Sequence, residues 1–455
     1  REGGRVAYVK GAVERLLALS KYVRKGDRVV PLTETEADAI MQANTDMAKQ
    51  ALRVIATAYA DLPGDLEDLK DEDIRGNLVF VGLAGMADLP RKEAKEAVRL
   101  CRQAGIKVVM ITGDHKITAE SIARQLDLPP GNTVTGTELQ QMSDSELYQR
   151  IADISVFARI EPLHKLRIVN ALKSHGYVVA MTGDGVNDAP ALKAANIGIA
   201  MGITGTDVAK ESSDMILADD NFASVVAALE DGRRIFNRLR NVLFFLLSTN
   251  LGELLALALA LLFVGKAPLL AVQIIWVNLV TDTTAAVPLG LEPKVGDELR
   301  QPPRHPKVSL VFPGLLLRII FMATLMSIGV FLVFRWAEPR MSLEEARTLT
   351  FCTMVAFEWF RAFNARSDEH TIFKLGFLRN RWLVLAIITA IALQLIVVYV
   401  PFMQVAFSTV PLSIERWGIA FLAGGSLFAI EETRKAVFPR LFSIGKWQPL
   451  REAAD

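Results

Sequence analysis

From Val242 onward the sequence is a succession of apolar blocks, over 242–264, 269–291, 311–334, 348–364, 382–401 and 414–431, separated by short charged or proline-rich connectors. An α-helix needs about 20 predominantly apolar residues to cross a bilayer, so these blocks predict six spans. The block 348–364 is short and carries Glu358 and Arg361, and taken alone it reads equally well as an interfacial helix. The connectors argue for counting it. Lys294, Arg300, Arg304 and Lys307 follow the second block, Arg366, Lys374, Arg379 and Arg381 the fourth, and Arg434, Lys435, Arg440 and Lys446 the sixth. Only Lys266 follows the first and only Arg416 the fifth, while Arg335, Arg340 and Arg347 after the third are offset by Glu338, Glu344 and Glu345. Basic residues in alternate loops are what the positive-inside rule expects of six spans with both chain ends cytoplasmic.

The first half is different. Up to about Asn237 charges are scattered and strand-like and helix-like stretches alternate, as in a soluble α/β region, although 51% of the 455 residues overall are apolar. Lys+Arg 51 against Asp+Glu 50 leaves a net charge of +1, which gives no reason to expect a nucleic-acid partner. Cys101 and Cys352 are far apart, without metal or redox spacing, and read as packing residues in a reducing compartment. The opening "REGGRVAYVKGA" has no initiator Met, signal peptide or transit segment, so the chain is expected to be a piece that begins inside a larger polypeptide.

"YVVAMTGDGVNDAPAL" is an apolar run that stops at Gly-Asp-Gly and resumes as a helix. Such a run reads as a buried strand ending in a tight turn, which puts Asp184 and Asp188 in the crevice at the carboxyl end of a parallel strand, where open α/β sheets bind ligands. Two hard oxygen ligands there suit Mg2+, which one or two carboxylates hold together with phosphate and water. "IKVVMITGDHKITA" repeats the pattern, with the Thr112 hydroxyl and the turn amides able to donate to phosphate oxygens. Lys165 in "FARIEPLHK" is a cation for the same chemistry. A lone Thr-Gly-Asp turn is more often plain turn chemistry and a lone lysine a solvated charge, whereas TGDGVNDAPAL combines turn, carboxylates and helix start in one rare string.

Ionisable groups inside apolar spans are expensive and mark an ion path by default. Asn250 and Glu253 are three residues apart and Asn278, Thr281 and Asp282 fall at i, i+3 and i+4, so each set is expected on one helix face. Glu358 adds a third carboxylate. Blander readings are that Asn250 bonds a neighbouring helix and that Glu358 pairs with Arg361; Gln394 reads as a helix-packing residue.

With these motifs in view, the chain resembles the carboxyl-terminal part of a P-type cation-transporting ATPase, of the branch that includes the sarcoplasmic-reticulum calcium pump and its bacterial relatives. "VKGAVERLL" resembles the Lys-Gly-Ala motif of the nucleotide domain, with Val13 where the family usually has proline, and "MADLPRKEA" resembles its hinge, with Leu89 replacing a proline. "MITGDHKITA", "FARIEPLHK" and "MTGDGVNDAPAL" resemble the phosphorylation domain. The resemblance implies an α/β haloacid-dehalogenase-like phosphorylation domain over 87–236, preceded by part of an α+β nucleotide-binding domain over 1–86. It also implies an all-α bundle of six transmembrane helices over 237–440, the family's fifth to tenth, and a cytoplasmic tail over 441–455.

Carried over residue by residue, it implies that Lys10 lines the adenine pocket, that Arg53 and Arg159 contact ATP, and that Asp88 and Asp114 close the hinge side. Thr112, Gly113, Lys165 and Asn187 would hold the phosphoryl group, Asp184 would ligate Mg2+ and Asp188 would orient that site. Asn250, Glu253, Asn278, Thr281, Asp282 and Glu358 would bind the transported cation, expected to be Ca2+, with Mn2+ and Na+ or K+ as competitors. One departure leaves the cation open: Thr-Thr-Ala-Ala-Val-Pro follows Asp282 where the calcium pump has Gly-Leu-Pro.

The family's Asp-Lys-Thr-Gly-Thr acceptor, its Thr-Gly-Glu loop and its Pro-Glu-Gly-Leu helix motif do not occur in the chain. It is therefore expected to be inactive alone and to need the amino-terminal part of the same polypeptide. The alternative is a truncated, catalytically incompetent membrane fragment. The expected location is a multi-pass position among membrane lipids, with cytoplasmic soluble domains, in a bacterial or archaeal plasma membrane.

Overall fold

The computed structural model describes residues 5–50, 52–62, 77–87, 90–129, 131–296, 298–301, 303–304 and 308–442, with the backbone alone at Arg53 and Ala87. Two compact units divide the chain, Arg1–Ala227 and Ala228–Asp455.

The first unit begins with a five-stranded sheet of β1 (Arg5–Gly11), β2 (Ser20–Lys25), β3 (Arg28–Pro31), β4 (Leu52–Leu62) and β5 (Leu78–Ala87), in the order β1-β4-β5-β2-β3. Neighbours are antiparallel except β2 and β5. Ala56, Ala58 and Ala60 are buried at the two-residue period of a strand with one covered face, and Val13 and Leu16 of the helix Val13–Leu19 join them in the core. The helix Glu34–Lys49 is opened by a capping box, in which Thr33 and Glu36 each accept from the other's backbone N–H.

After the helix Lys92–Gln103 every strand pairing is parallel. β6 (Met110–Ile111), β7 (Asn132–Thr135) and β8 (Ile154–Ala158) form one sheet in the order β6-β8-β7. β9 (Ala180–Gly183), β10 (Ile197–Met201) and β11 (Met215–Leu217) form another in the order β11-β10-β9. All five residues of β8 are buried, as expected of a parallel strand covered on both faces. The α/β character is therefore present, as two three-stranded sheets among the described residues.

The second unit is helical. Four helices are long and apolar enough to cross a membrane: Phe222–Val264, Ala271–Leu289, Pro313–Ala337 and Arg381–Tyr399. The other two apolar blocks are also helices, Leu343–Asn364 and Ile414–Val437, but do not fall in that class. Their polarity has a structural counterpart. Leu343–Asn364 is buried almost all round, and it packs along Ile414–Val437 so closely that a Cβ at Gly424 would stand 2.9 Å from the Ala356 carbonyl oxygen. Small residues at such crossings are how helices in lipid approach one another.

Several charges in and beside these two helices are buried in ion pairs. Arg318 Nη2 donates to Glu431 Oε1 at 2.6 Å, Lys435 Nζ to Glu432 Oε1 at 2.8 Å, and Arg366 Nη2 to Glu292 Oε1 at 2.7 Å, all six side chains being buried. Arg318 also pairs with Asp368. Buried charges are tolerated where they are paired in this way.

The helix Ala271–Leu289 is not regular. A π-helical turn over Val277–Thr281 separates Ala271–Trp276 from Asp282–Leu289, and Pro288 lies inside the last segment. The sequence carries no periodicity that announces this turn. The expected packing residue Gln394 accepts from Trp276 Nε1 at 3.1 Å and donates to Cys352 Sγ at 3.7 Å.

Candidate functional site

Two groups of predicted residues can be followed, one in each unit. In the first, β9 ends at Gly183 and the chain turns through a 3-10 segment, Val186–Asp188, into the helix Ala189–Ala194. Asp188 organises the turn. Its Oδ2 accepts from the backbone N–H groups of Asp184 and Gly185, both at 3.2 Å, and its Oδ1 pairs with Lys165 Nζ. A Cβ at Gly183 would come within 2.6 Å of Asp188 Cβ, so glycine is required for the chain to close on this carboxylate.

Asp184 is placed differently. Its backbone carbonyl accepts from Thr206 N–H at 2.8 Å, but its exposed carboxylate has no partner among the described residues. Asn187 is exposed beside it. The two aspartates are thus divided between a structural carboxylate and an open one. An open, hard-oxygen donor is the kind that Mg2+ takes together with phosphate and water.

The Thr-Gly-Asp turn is joined to the end of β8. Thr112 N–H donates to Phe157 O at 2.9 Å, Ile160 N–H to Thr112 O at 3.1 Å, and Arg159 N–H to Asp114 O at 2.9 Å. Within the turn the Thr112 hydroxyl donates to Asp114 Oδ2 at 2.8 Å. Gly113 is exposed and a Cβ there would meet nothing. The helix Pro162–Ser174, which carries Lys165, follows directly, so β8 links the Thr112 turn to the Asp184–Asp188 turn through the Lys165 pair.

The residues expected to touch ATP are less gathered. Lys10 is exposed on β1, opposite Thr57 of β4. Arg159 adopts φ +53° and its guanidinium stands 3.9 Å from Glu14. Asp88 and the Arg53 side chain lie outside the described residues.

One carboxylate was not singled out by the sequence. Asp220, at φ +49°, accepts from Ile203 N–H at 2.9 Å, Thr204 N–H at 2.8 Å and the Thr204 hydroxyl at 2.7 Å. The Ile203 amide above all, with the Thr204 donors, holds its pKa down at about 2. Arg91 Nη1 donates to its backbone carbonyl at 2.6 Å. It fixes the loop after β10, and a sequence signal for such an amide nest is absent.

The second group lies in the helical unit. Glu253, Asp282 and Glu358 are all buried and within one another's electrostatic reach. Asn278 Nδ2 donates to Glu253 Oε2 at 2.9 Å. The other Glu253 oxygen and both oxygens of Asp282 and of Glu358 make no hydrogen bond among the described residues. Thr281 stands beside Glu358, but its hydroxyl donates to Val277 O at 2.7 Å.

Three readings of the sequence are corrected here. Asn250 does not share the buried face of Glu253: it is exposed and donates to Leu246 O of its own helix at 2.8 Å. The α-helical i, i+3, i+4 premise for Asn278, Thr281 and Asp282 fails as well, because the π turn intervenes and Asp282 N–H reaches back to Val277 O. Nor does Glu358 form an ion pair with Arg361, which bonds instead to Ser248 and Thr249. No three His, Cys, Asp or Glu side chains among the described residues converge on a ready metal cage. The carboxylates share one buried neighbourhood without closing on a common point.

Residues 266–437 match the family profile "Cation transporting ATPase, C-terminus", and residues 1–93 match "P-type ATPase, cytoplasmic domain N". The chain belongs to the P-type cation-transporting ATPases. It is 39% identical to "Calcium-transporting ATPase 1" of Bacillus cereus, over 91% of this chain and 48% of that protein. It is also 39% identical to "Calcium-transporting ATPase 1" of Saccharomyces cerevisiae, over 94% of this chain and 46% of that protein. Identity to "Calcium-transporting ATPase 4, endoplasmic reticulum-type" of Arabidopsis thaliana is 34%, over 96% of this chain and 48% of that protein. This P-type ATPase chain spans about half the length of the curated relatives it matches. Because those relatives include a yeast and a plant protein, they give no support to the expected bacterial or archaeal origin.

Proposed function

We propose that this chain is the phosphate-handling and ion-path portion of an ATP-driven cation pump, working through an aspartyl-phosphate, with Ca2+ as its cargo. The observation that carries the reading is the buried trio Glu253, Asp282 and Glu358, with five carboxylate oxygens lacking hydrogen bonds among the described residues. Unpaired carboxylates at that depth are costly unless a cation or proton joins them. With Asn278 and Thr281 they form an all-oxygen donor set, which suits Ca2+ with its 6 to 8 oxygen ligands and disfavours copper or zinc. Three acids favour a divalent ion over Na+ or K+ on charge, and Mn2+ is the second reading because it shares the oxygen preference.

In this reading residues 1–86 belong to a nucleotide-binding domain and 87–236 to a haloacid-dehalogenase-like phosphorylation domain. Residues 237–440 supply six membrane helices and 441–455 a tail, in a multi-pass protein with cytoplasmic soluble parts. Lys10, Arg53, Asp88, Asp114 and Arg159 serve ATP. Thr112, Gly113, Lys165 and Asn187 hold the phosphoryl group, while Asp188 keeps the turn and Lys165 in register. Asp184 would hold Mg2+, which cancels negative charge on phosphate oxygens when bound. Since no Asp-Lys-Thr-Gly-Thr string occurs here, this chain by itself forms no phosphoenzyme.

The test is an ion screen on the full-length pump, reading acid-stable, hydroxylamine-sensitive phosphoenzyme formed from ATP. Activation by submillimolar Ca2+ supports the reading; activation by Mn2+, Na+ or K+ but not by Ca2+ rejects the cargo.

A further inference from the structure

Among the described residues, the positive charge beside the acidic trio is Arg361. It is only 1% exposed, and burying an arginine inside a helical bundle at membrane depth is expensive. Its Nη1 donates to Thr249 Oγ1 at 3.1 Å and approaches Met326 Sδ at 3.2 Å, and its Nη2 donates to Ser248 Oγ. Ser248 and Thr249 in turn donate to the carbonyls of Phe244 and Phe245. This leaves Nε without a hydrogen bond among the described residues. Asp282 and Glu358 both lie in the field of the guanidinium without an ion pair, and the more remote Arg318–Glu431 pair is also felt there. Arg361 is therefore held back from the carboxylates by two hydroxyls, near enough to stabilise their charge and too far to replace a ligand.

Resting on the pump reading above, we propose that Arg361 is a resident counter-cation of the ion site, tethered by Ser248 and Thr249, which offsets the charge of Asp282 and Glu358 when no ion is bound and opposes the incoming ion. The charge count is simple. Three ionised carboxylates and one guanidinium leave two negative charges, which one divalent ion balances. The same cation makes the vacated cluster tolerable during the return half of the cycle, when the acids would otherwise face one another unscreened in a low dielectric. Arg361 acts through the carboxylates, so it is a positioning residue rather than a ligand.

The prediction has a sign that a purely structural role does not share. In the full-length pump, Arg361→Gln keeps hydrogen-bond donors for Ser248 and Thr249 but removes the charge. It should lower the Ca2+ concentration for half-maximal phosphorylation about ten-fold and slow steady turnover, because the emptied site is no longer balanced. Arg361→Lys keeps the charge and should stay near the unmutated values in both. Ser248→Ala loosens the tether, lets the guanidinium move toward the acids, and should shift Ca2+ affinity the opposite way, to weaker binding.

Weaker or unchanged Ca2+ affinity in a monodisperse Arg361→Gln protein overturns the proposal. If that variant fails to fold, Ser248→Ala decides: unchanged or tighter Ca2+ binding overturns it. If the unmutated pump shows no Ca2+-dependent phosphoenzyme, the cargo reading fails by itself. The same three variants are then titrated with whichever ion does support phosphorylation, where the opposite signs for Arg361→Gln and Ser248→Ala remain the test.

Discussion

Asn278 Nδ2 donates to Glu253 Oε2 at 2.9 Å and thereby ties the helix Phe222–Val264 to the π turn Val277–Thr281. The bond leaves one Glu253 oxygen without a hydrogen bond among the described residues and uses an amide that also donates to Ile274 O at 3.0 Å. Groups that orient a ligand are typically worth about 10–100-fold in metal affinity. Asn278→Ala in the full-length pump should therefore weaken the Ca2+ activation of phosphorylation by about that factor while the protein stays folded. A titration of phosphoenzyme against free Ca2+ checks it, and an unchanged midpoint would remove Asn278 from the site.

In the first unit the pair Lys165–Asp188 holds the turn after β9 to the helix after β8. Lys165→Met would leave the Asp188 carboxylate buried without its cation, at a cost of about 1–3 kcal/mol. Asp188→Asn should cost a similar amount through the amides of Asp184 and Gly185. Because the two residues are in contact, the double variant should lose less than the sum, with a coupling of about 0.5–3 kcal/mol. Unfolding midpoints of the four proteins in detergent give the cycle, and strict additivity would count against the pair.

Gly183 and Gly113 are both glycines of Thr-Gly-Asp turns and should respond oppositely to alanine. At Gly183 the new Cβ would stand 2.6 Å from Asp188 Cβ, whereas at Gly113 it meets open space. Gly183→Ala should lower the unfolding midpoint and Gly113→Ala should leave it unchanged. Any loss of phosphorylation in Gly113→Ala would then report on ligand approach rather than on folding.

Asp220 supplies a pH prediction. Its carboxyl is held at about 2 against an ordinary 3.8, chiefly by the Ile203 amide. A depressed carboxylate contributes stability that is fully present above 3.8 and lost as pH falls through about 2. Asparagine tolerates the positive φ found there. Asp220→Asn should thus loosen the 202–220 region at neutral pH and remove its extra loss of order between pH 4 and 2, followed by mass spectrometry of pepsin cleavage sites. Identical acid profiles for the two proteins would contradict the role.

Much of this was legible in the sequence because the signals are local. An apolar run closed by Thr-Gly-Asp foretells a strand and a turn, and β6 ends at Ile111 within "MITGD" and β9 at Gly183 within "AMTGD". What escaped depends on partners distant in sequence. Asn250 and Glu253 are three residues apart, yet only packing around the helix decides that one is exposed and the other buried. The π turn at Val277–Thr281 breaks a spacing argument that assumed 3.6 residues per turn. Glu431 looks like a solvated charge at a helix end until Arg318, 113 residues away in the chain, is brought to it.

Asp282 lies buried at the end of the π turn, with neither carboxylate oxygen hydrogen-bonded among the described residues. The deciding measurement is the full-length pump's phosphorylation by ATP as free Ca2+ is varied, alongside its Asp282→Asn, Glu253→Gln and Glu358→Gln variants. Submillimolar Ca2+ should activate the unmutated protein, and Asp282→Asn should weaken that activation by about ten-fold or more, with smaller shifts for the other two. No activation by Ca2+, or three variants that keep the unmutated affinity, would contradict the proposed Ca2+ site.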